Sequence, residues 1–391
     1  MTAVLSGFLY VASLARTKAE NRVDYRYEDY AEENGRIHVT TQGANFDTSL
    51  NAWTDLKGNF VYDVISGATP TGQPFLPGTN AVNLAHMKDK RYGGFLEPTF
   101  KFRNQTYSPQ FSYSQESDYR SIGTALNGTV DFNDKNTTLL WGISHSFDHI
   151  LPNEGELYYK TDNVFTSQVK KDDTSGMLGV AQLLGPATIL SIDLTVGYAD
   201  GDLSDPYKRV LFDNVFYNAG PDPANPFPYI VFPEHRPEHK FREIAFISMQ
   251  HYFDKLNGAM EVTYRYYHDD FQVTAHTASI QWNQKLGKYV TISPLLRFYT
   301  QTAAYFYGTH FPGDPSDPSS PIPLPAFYSS DYRLSALNTY TYGISLEARV
   351  WEHLSLVAAF KRYEMQGRDG ITNVAQYPTA NVFTVGTTLW F

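Results

Sequence analysis

The chain has no cysteine at all. Disulfides, thiol nucleophiles, thiolate zinc sites, iron–sulfur clusters and a lipid-bearing cysteine are therefore excluded. Charge is scarce too: Asp, Glu, Lys and Arg make up 18% of 391 residues. Basic residues are the smaller share, 31 against 41 acids, and the formal net charge of -10 opposes a nucleic-acid partner. Beyond residue 20 no run of about 18 uninterrupted apolar residues occurs, so that part holds no candidate for a membrane-crossing helix. A Walker A string, an HExxH string and a Gly-rich dinucleotide fingerprint are also missing. No cofactor is expected.

Aromatic residues are abundant: 15% of the chain, with 29 Tyr and 26 Phe. Such an excess fits two interfacial girdles, where amphipathic rings sit at the level of lipid headgroups. The last eleven residues are the most informative. Phe383, Val385, Thr387, Leu389 and Phe391 alternate with Thr384, Gly386, Thr388 and Trp390. One face of this strand is apolar and the other small and polar. A closing strand that ends on Phe is the usual pattern of a bacterial outer-membrane β-barrel, and Phe391 is read as its assembly signal.

Alternating segments recur along the whole chain. Strands are expected at 21–31, 35–46, 53–65, 91–103, 105–116, 118–132, 137–148, 173–184, 187–199, 240–254, 258–268, 272–286, 289–303, 333–350, 353–364 and 378–391. They predict an all-β, antiparallel, transmembrane barrel of about sixteen strands, an even number as single-chain barrels require. Counting back from Phe391, alternate connections are short: Glu352-His353, Leu286–Lys288, Lys255–Gly258, Gly185-Pro186, Asn133–Asn136, Asn104-Gln105 and a turn near Asp47–Asn51. The long excursions 66–90, 149–172, 200–239 and 304–332 all fall in the other class. Short turns belong to the periplasmic end and long loops to the extracellular end.

Proline marks the two longest loops, at 206, 221, 223, 226, 228, 233 and 237, and at 312, 315, 318, 321, 323 and 325. Proline lowers the entropy of a free loop and removes pairing donors. These loops are expected to pack as a lid over the mouth or to fold into it. Pro98, Pro109 and Pro294 fall inside expected strands. Each predicts a bulge or a missing ladder bond, because a closed barrel has no free edge.

Strand parity places Asp24, Arg26, Glu28, Asp63, Glu97, Lys101, Arg103, Glu116, Asp118, Arg120, Glu261, Arg265, Arg297, Glu347, Arg349 and Lys361 on the lumen side. Eight acids face eight bases. That balance favours cross-strand ion pairs over a selectivity ring of one sign.

Two further groups carry possible chemistry. His268-Asp269-Asp270 lies at the outer rim, where outer-membrane proteases place a His–Asp pair. A three-residue string more often marks a solvated turn. The His-x-Ser-Asn-Gly string of outer-membrane phospholipases is absent, and no enzyme is expected. Asp200, Asp202 and Asp205 open the longest loop and offer hard oxygen ligands for calcium. They lack the twelve-residue loop and terminal Glu of a dedicated site, so a plain acidic turn is the reading preferred. Residues 1–20 are apolar, with Ser13-Leu14-Ala15 as a small-residue cleavage pattern. They read as a signal-peptide remnant or N-terminal extension, followed by one barrel domain at 21–391.

One set of strings carries a resemblance. Asp24–Tyr30 (DYRYEDY), Gly35-Arg36-Ile37, Tyr62–Gly72 (YDVISGATPTG), Ser114–Ser121 and Asp131–Thr138 resemble a bacterial family known only as a domain of unknown function. The resemblance runs from about residue 21 to the C-terminus, and Ser66–Gly72 is its most specific part. It implies an outer-membrane barrel. Family members are often encoded beside a flavin transferase and small lipoproteins, so the resemblance implies a periplasmic redox companion or a lipoprotein companion. No catalytic residue can be carried over. The expected function is a channel or porin-like conduit for small solutes. A scaffold for a periplasmic or lipoprotein partner is the alternative, and an outer-membrane hydrolase a minor one. The expected surroundings are outer-membrane lipid, lipopolysaccharide and the barrel-assembly machinery.

Overall fold

A computed structural model describes residues 21–72, 82–150, 169–213, 231–317 and 319–391. The expected leader at 1–20 and prolines 221, 223, 226, 228 and 318 lie outside the described residues. The strands are β1 (Arg22–Glu32), β2 (His38–Asn51), β3 (Thr54–Pro70), β4 (Leu84–Lys101), β5 (Gln105–Gln115), β6 (Tyr119–Phe132), β7 (Thr137–Ile150), β8 (Val169–Gly185) and β9 (Thr188–Gly201). They continue as β10 (Arg209–Leu211), β11 (Val231–Pro233), β12 (His239–Phe253), β13 (Gly258–Asp269), β14 (Thr274–Leu286), β15 (Val290–Gln301), β16 (Leu337–Trp351), β17 (Leu354–Gly367) and β18 (Thr379–Trp390).

Sixteen of these form one closed antiparallel barrel, and β10 and β11 form a separate two-stranded ribbon in the connection from β9 to β12. The final strand closes the ring against the first, with Tyr25 opposite Thr387 and Arg22 opposite Trp390. The Phe391 amide donates to the Asn21 carbonyl at 3.0 Å. Alternation along each strand sorts the two faces. Leu296 (62%), Leu194 (59%) and Phe60 (54%) stand exposed on the outer face, whereas Asp63 on the same strand as Phe60 is buried. The ring is too wide for side chains to fill.

Six of the seven short turns fall within a residue or two of their expected places. The seventh moves from Asp47–Asn51 to Ala52–Trp53, because β2 keeps its pairing with β3 as far as Asn51. The loop expected at 66–90 is shorter, since β3 runs to Pro70 and β4 starts at Leu84 in continuous register. The expected strand start at 333 is a single 3-10 turn instead, Tyr332–Leu334. Asp331 captures that turn by accepting from the Arg333 amide at 3.1 Å, and β16 begins three residues later.

The strand prolines interrupt the ladder as expected. Pro98 and Pro109 share one register position between β4 and β5, and pairing lapses from Leu96–Phe111 to Phe100–Tyr107. Two residues without N–H donors are thus confined to one gap. Pro294 does the same between β14 and β15, where pairing lapses from Gln281–Leu295 to Gln284–Ile292.

Candidate functional site at the barrel mouth

The described parts of two connections fold together at the long-loop end. Residues 202–213 and 231–238 come from the β9–β12 connection, and 302–336 from β15–β16. Proline-rich and poor in continuous pattern, they cannot extend the wall, but they carry enough apolar residues to build a core. Val210, Phe212 and Phe311 form one buried cluster with Phe232 and Tyr328 against it. Phe271, Val273, Ala304 and Phe306 form a second, and Tyr332, Leu337 and Tyr377 a third. Isolated bridges Phe212–Phe311 and His235–Tyr328 stitch the two connections together.

Between these clusters lies a buried network of three acids and three bases. Arg333 binds Asp331 and Asp205, Arg236 binds Asp331 at 2.9 Å and Glu234 at 2.7 Å, and Lys208 lies 4.0 Å from Asp331. Glu234 also accepts from the Asp205 amide at 2.5 Å and from the Ser329 hydroxyl. Burial by itself would raise the Asp331 and Asp205 carboxyls. At Asp331 the cations Arg333 and Lys208 outweigh it and hold the carboxyl below the usual carboxylate range, and Asp205 is shifted the same way. Burial pushes the Lys208 ammonium down, with Asp331 opposing, and burial raises Glu234 against the pull of Arg236. The network is charge-balanced, so the lid can be buried without a net ion, although each member depends on the others.

The lid is seated on strands around the ring. The Lys208 ammonium donates to the Pro70 carbonyl at 2.5 Å, and the Arg209 amide to the Thr71 carbonyl at 2.8 Å. Gly72 has φ +87°, and a Cβ there would meet the Ser330 carbonyl at 2.8 Å and the Arg209 carbonyl at 3.0 Å. The Ser66–Gly72 string therefore serves as the seat of the lid; only glycine fits. On neighbouring strands the Tyr207 hydroxyl donates to Asp118 in the β5–β6 turn. On the other side of β3, Tyr307 bonds Thr372 in the β17–β18 connection, and Arg36 in the β1–β2 connection donates to the Gln376 carbonyl at 2.8 Å while its guanidinium stands 5.8 Å from the Tyr332 ring centre. The lid thus spans the mouth.

At its edge Asp89, Glu116 and Asp118 bring one carboxylate oxygen each within 4.8 Å of one another, the one such acidic or His group among the described residues. Asp89 accepts from the Ser117 amide at 3.1 Å, and Asp118 from Tyr207. Burial, then the charges of Asp118 and Asp89, push Glu116 up to about 7.

Pleat parity places Asp24, Arg26, Glu28, Asp63, Glu97, Lys101, Glu116, Glu261, Arg265, Arg297, Glu347, Arg349 and Lys361 on the inner face. Three placements differ. Arg103 is exposed in the turn after β4. Asp118 sits in the turn itself, where it meets the lid. Arg120 faces outward with Gln115 and His149, because a two-residue turn sets Glu116 opposite Tyr119 and reverses the parity beyond it. Asp200, Asp202 and Asp205 do not converge: Asp200 pairs with His239, Asp202 accepts from the Ser204 amide at 2.8 Å, and Asp205 joins the lid network. The plain-turn reading describes Asp202, and the three carboxylates share no common point. His268 and Asp269 point to opposite faces of β13, so that string forms no His–Asp pair.

Within the wall Asp24 meets Arg22 at 2.9 Å, Asp63 meets Arg91 at 2.6 Å, and Lys101 meets Asp55 at 2.5 Å. Lys171 lies 3.8 Å from Asp148, and Arg242 2.6 Å from Asp173. Parity could have found Asp55, which lies two residues from Lys57 on the same face. Arg91, Asp148, Lys171 and Asp173 lie at or beyond expected strand ends and escaped notice there.

Over residues 4–385 the sequence matches the family described as Protein of unknown function (DUF3570). The chain belongs to that family. Curated proteins yield no match to this DUF3570 barrel. Among solved structures it is similar to CdiB from Acinetobacter baumannii (9% identity, 95% of this chain and 61% of that one, TM-score 0.50). It is also similar to the siderophore receptor PirA from Pseudomonas aeruginosa (8%, 95% and 62%, 0.45) and to the Vibrio cholerae outer membrane protein OmpT in its trimer form (8%, 95% and 98%, 0.45). The DUF3570 chain spans 62% of the PirA receptor. These likenesses concern the fold: a closed, sixteen-stranded barrel of the outer-membrane type.

Proposed function

We propose that this DUF3570 protein is an outer-membrane conduit for small solutes, closed at its long-loop end by the lid. The observation that carries the reading is where packing occurs. All three hydrophobic clusters of the described residues lie at the long-loop end. Below them the inner face presents Ser112, Ser144, Thr195, Thr263 and the ion pairs, and Arg297 is exposed there. A sixteen-stranded ring with a polar, unpacked interior suits an aqueous path. In this reading the exposed apolar outer face meets lipid and lipopolysaccharide, the long loops face outward from the cell, and Phe391 is offered to the barrel-assembly machinery.

Planar-bilayer recording tests the conduit. The native chain is expected to conduct weakly or intermittently, and Asp331→Asn, which takes one carboxylate partner from Arg236, Arg333 and Lys208, to conduct more steadily. Full insertion of both proteins with no conductance from either would overturn the reading. In that case a stoichiometric companion recovered in mild detergent would favour a scaffold.

A further inference from the structure

The wall cations divide into two populations. Arg22, Arg26, Lys57, Arg91, Lys101, Lys171 and Arg242 each have a carboxylate oxygen within 4.0 Å. Toward the ends of the wall Lys240, near the long loops, and Lys285 and Arg349, near the short turns, have no such partner among the described residues; between those levels, neither do Arg265 on β13, Arg297 on β15 and Lys361 on β17. These last three face the lumen from alternate strands.

Register places them on one level. Arg265 is opposite Thr277, which is opposite Tyr299; Arg297 lies two residues nearer the short-turn end. From Arg297 the same path runs through Thr341 to Tyr363, and two residues nearer that end is Lys361. Repeated through Val382 and Tyr30, the step reaches Glu28. It continues to Val61, Ser112, Ser144 and Thr195, then returns to Arg265. A path that closes on its starting residue is a level ring, because strand tilt is offset at every step. Half of this ring carries three bases and Glu28; the other half carries Val61 and three hydroxyl residues. Glu28 accepts from the Thr384 hydroxyl at 3.0 Å.

One step above each charged member stands a tyrosine: Tyr267, Tyr299, Tyr363 and Tyr30. The hydroxyls of Tyr267 and Tyr299 donate to Asp269 and Gln301, each at 2.6 Å, and Tyr30 donates to Glu32 at 3.0 Å. These bonds tie the rings along the wall above the cations.

We propose that Arg265, Arg297 and Lys361 form an anion-binding half-ring in the lumen, and that its ligand is a small polycarboxylate. Guanidinium groups pair carboxylates bidentately. Alternate strands stand about 10 Å apart, so inward-reaching side chains can hold two carboxylates of one molecule. Rings of Arg and Lys likewise select anions in pores. With the lid seated, the ligand enters from the short-turn end. The proposal deepens the conduit reading by naming a solute class and rests on that reading for its role in transport, but binding can be measured without conduction.

Citrate binding to the full-length, detergent-folded protein, followed by isothermal titration calorimetry, is the test. Native protein is expected to bind citrate, more weakly as salt rises, and not to bind a neutral sugar of similar size. Arg297→Gln and Arg265→Gln should each weaken binding roughly tenfold, the scale of one charged hydrogen-bonded contact. Arg297→Lys, which keeps the charge but loses the bidentate fork, should fall between native and Arg297→Gln, and Ser112→Ala on the opposite wall should leave binding unchanged. Heat-modifiable gel mobility shows that each variant is folded. No heat of citrate binding to the native barrel, or undiminished binding by folded Arg265→Gln/Arg297→Gln, overturns the site. Citrate binding without conductance removes the conduit and leaves the site. Conductance without anion preference or citrate binding removes the site and leaves the conduit.

Discussion

Arg236 and Asp331 join at 2.9 Å across 95 residues of sequence, one from each of the two connections that make the lid. Asp331 also receives Arg333 and lies beside Lys208, so one carboxylate holds three cations. This junction decides whether the mouth is covered.

Replacing Asp331 by Asn should loosen the lid by about 3–5 kcal/mol, the cost of leaving buried charges without their partner. The wall, held by its own ladder, should stay closed. Because the chain has no cysteine, Leu324→Cys and Val374→Cys can be spin-labelled specifically. The distance distribution between the labels should broaden in Asp331→Asn while gel mobility stays that of the folded barrel. An unchanged distribution would show that the network is dispensable.

The same labels report the effect of acid. Asp205 and Asp331 are held below the carboxylate range, so their contribution is present above about pH 4, the unfolded value. It is lost as pH falls through their lower folded values. The lid should therefore loosen below about pH 4, and an equally tight distribution at pH 3 and pH 6 would contradict this.

Glu116 has the opposite sign. Burial, Asp118 and Asp89 lift it to about 7, so the folded state holds a proton that the unfolded chain gives up near pH 4.5. Its contribution is present below the unfolded value and is lost as pH rises through about 7. Local hydrogen exchange at Tyr207 and Lys208 should quicken, beyond the intrinsic effect of pH, between pH 5 and 8. Glu116→Gln should remove that excess.

Gly72→Ala should weaken lid docking by about 1–3 kcal/mol, since φ +87° disfavours a side chain and the new Cβ would meet the Ser330 carbonyl. Gly43→Ala, with its nearest neighbour atom at 3.9 Å, is the matched control. Equal label distributions for the two variants would show that the Ser66–Gly72 string is not the seat.

Deleting Phe391 should lower the yield of membrane-assembled barrel while leaving the stability of what does assemble nearly unchanged. Phe391 is exposed, and β18 is already paired with β1 up to Trp390 and with β17 up to Leu389. A pulse-chase of heat-modifiable protein checks this.

Much of the wall was legible from residue patterns. The period-2 alternation around Phe60 and Asp63, or Leu296 and Arg297, names both faces without reference to any distant residue. Prolines 98, 109 and 294 announced gaps that the ladder contains. Parity failed at Arg120 because one tight turn reverses it, and at Arg103 because the strand ends two residues sooner. The expected balance of eight acids and eight bases falls to seven and six once Arg103, Asp118 and Arg120 leave the inner face, and neither count shows the half-ring. Charge along a sequence carries no height, and height follows from how far each strand slides against the next.

Local chemistry alone therefore determined that this chain folds into a closed barrel, how many strands it has, which end carries the long loops, and which family it resembles. These depend on pleat, turn and terminal residue, all short-range properties. Tertiary structure alone decided that Asp205, read as part of a plain acidic turn with calcium as the lesser reading, belongs to a lid, that Gly72 seats it, and that Arg265, Arg297 and Lys361 stand level with no carboxylate within 4.0 Å among the described residues. Those facts depend on contacts between residues dozens to hundreds of positions apart, set by the closure and stagger of the ring.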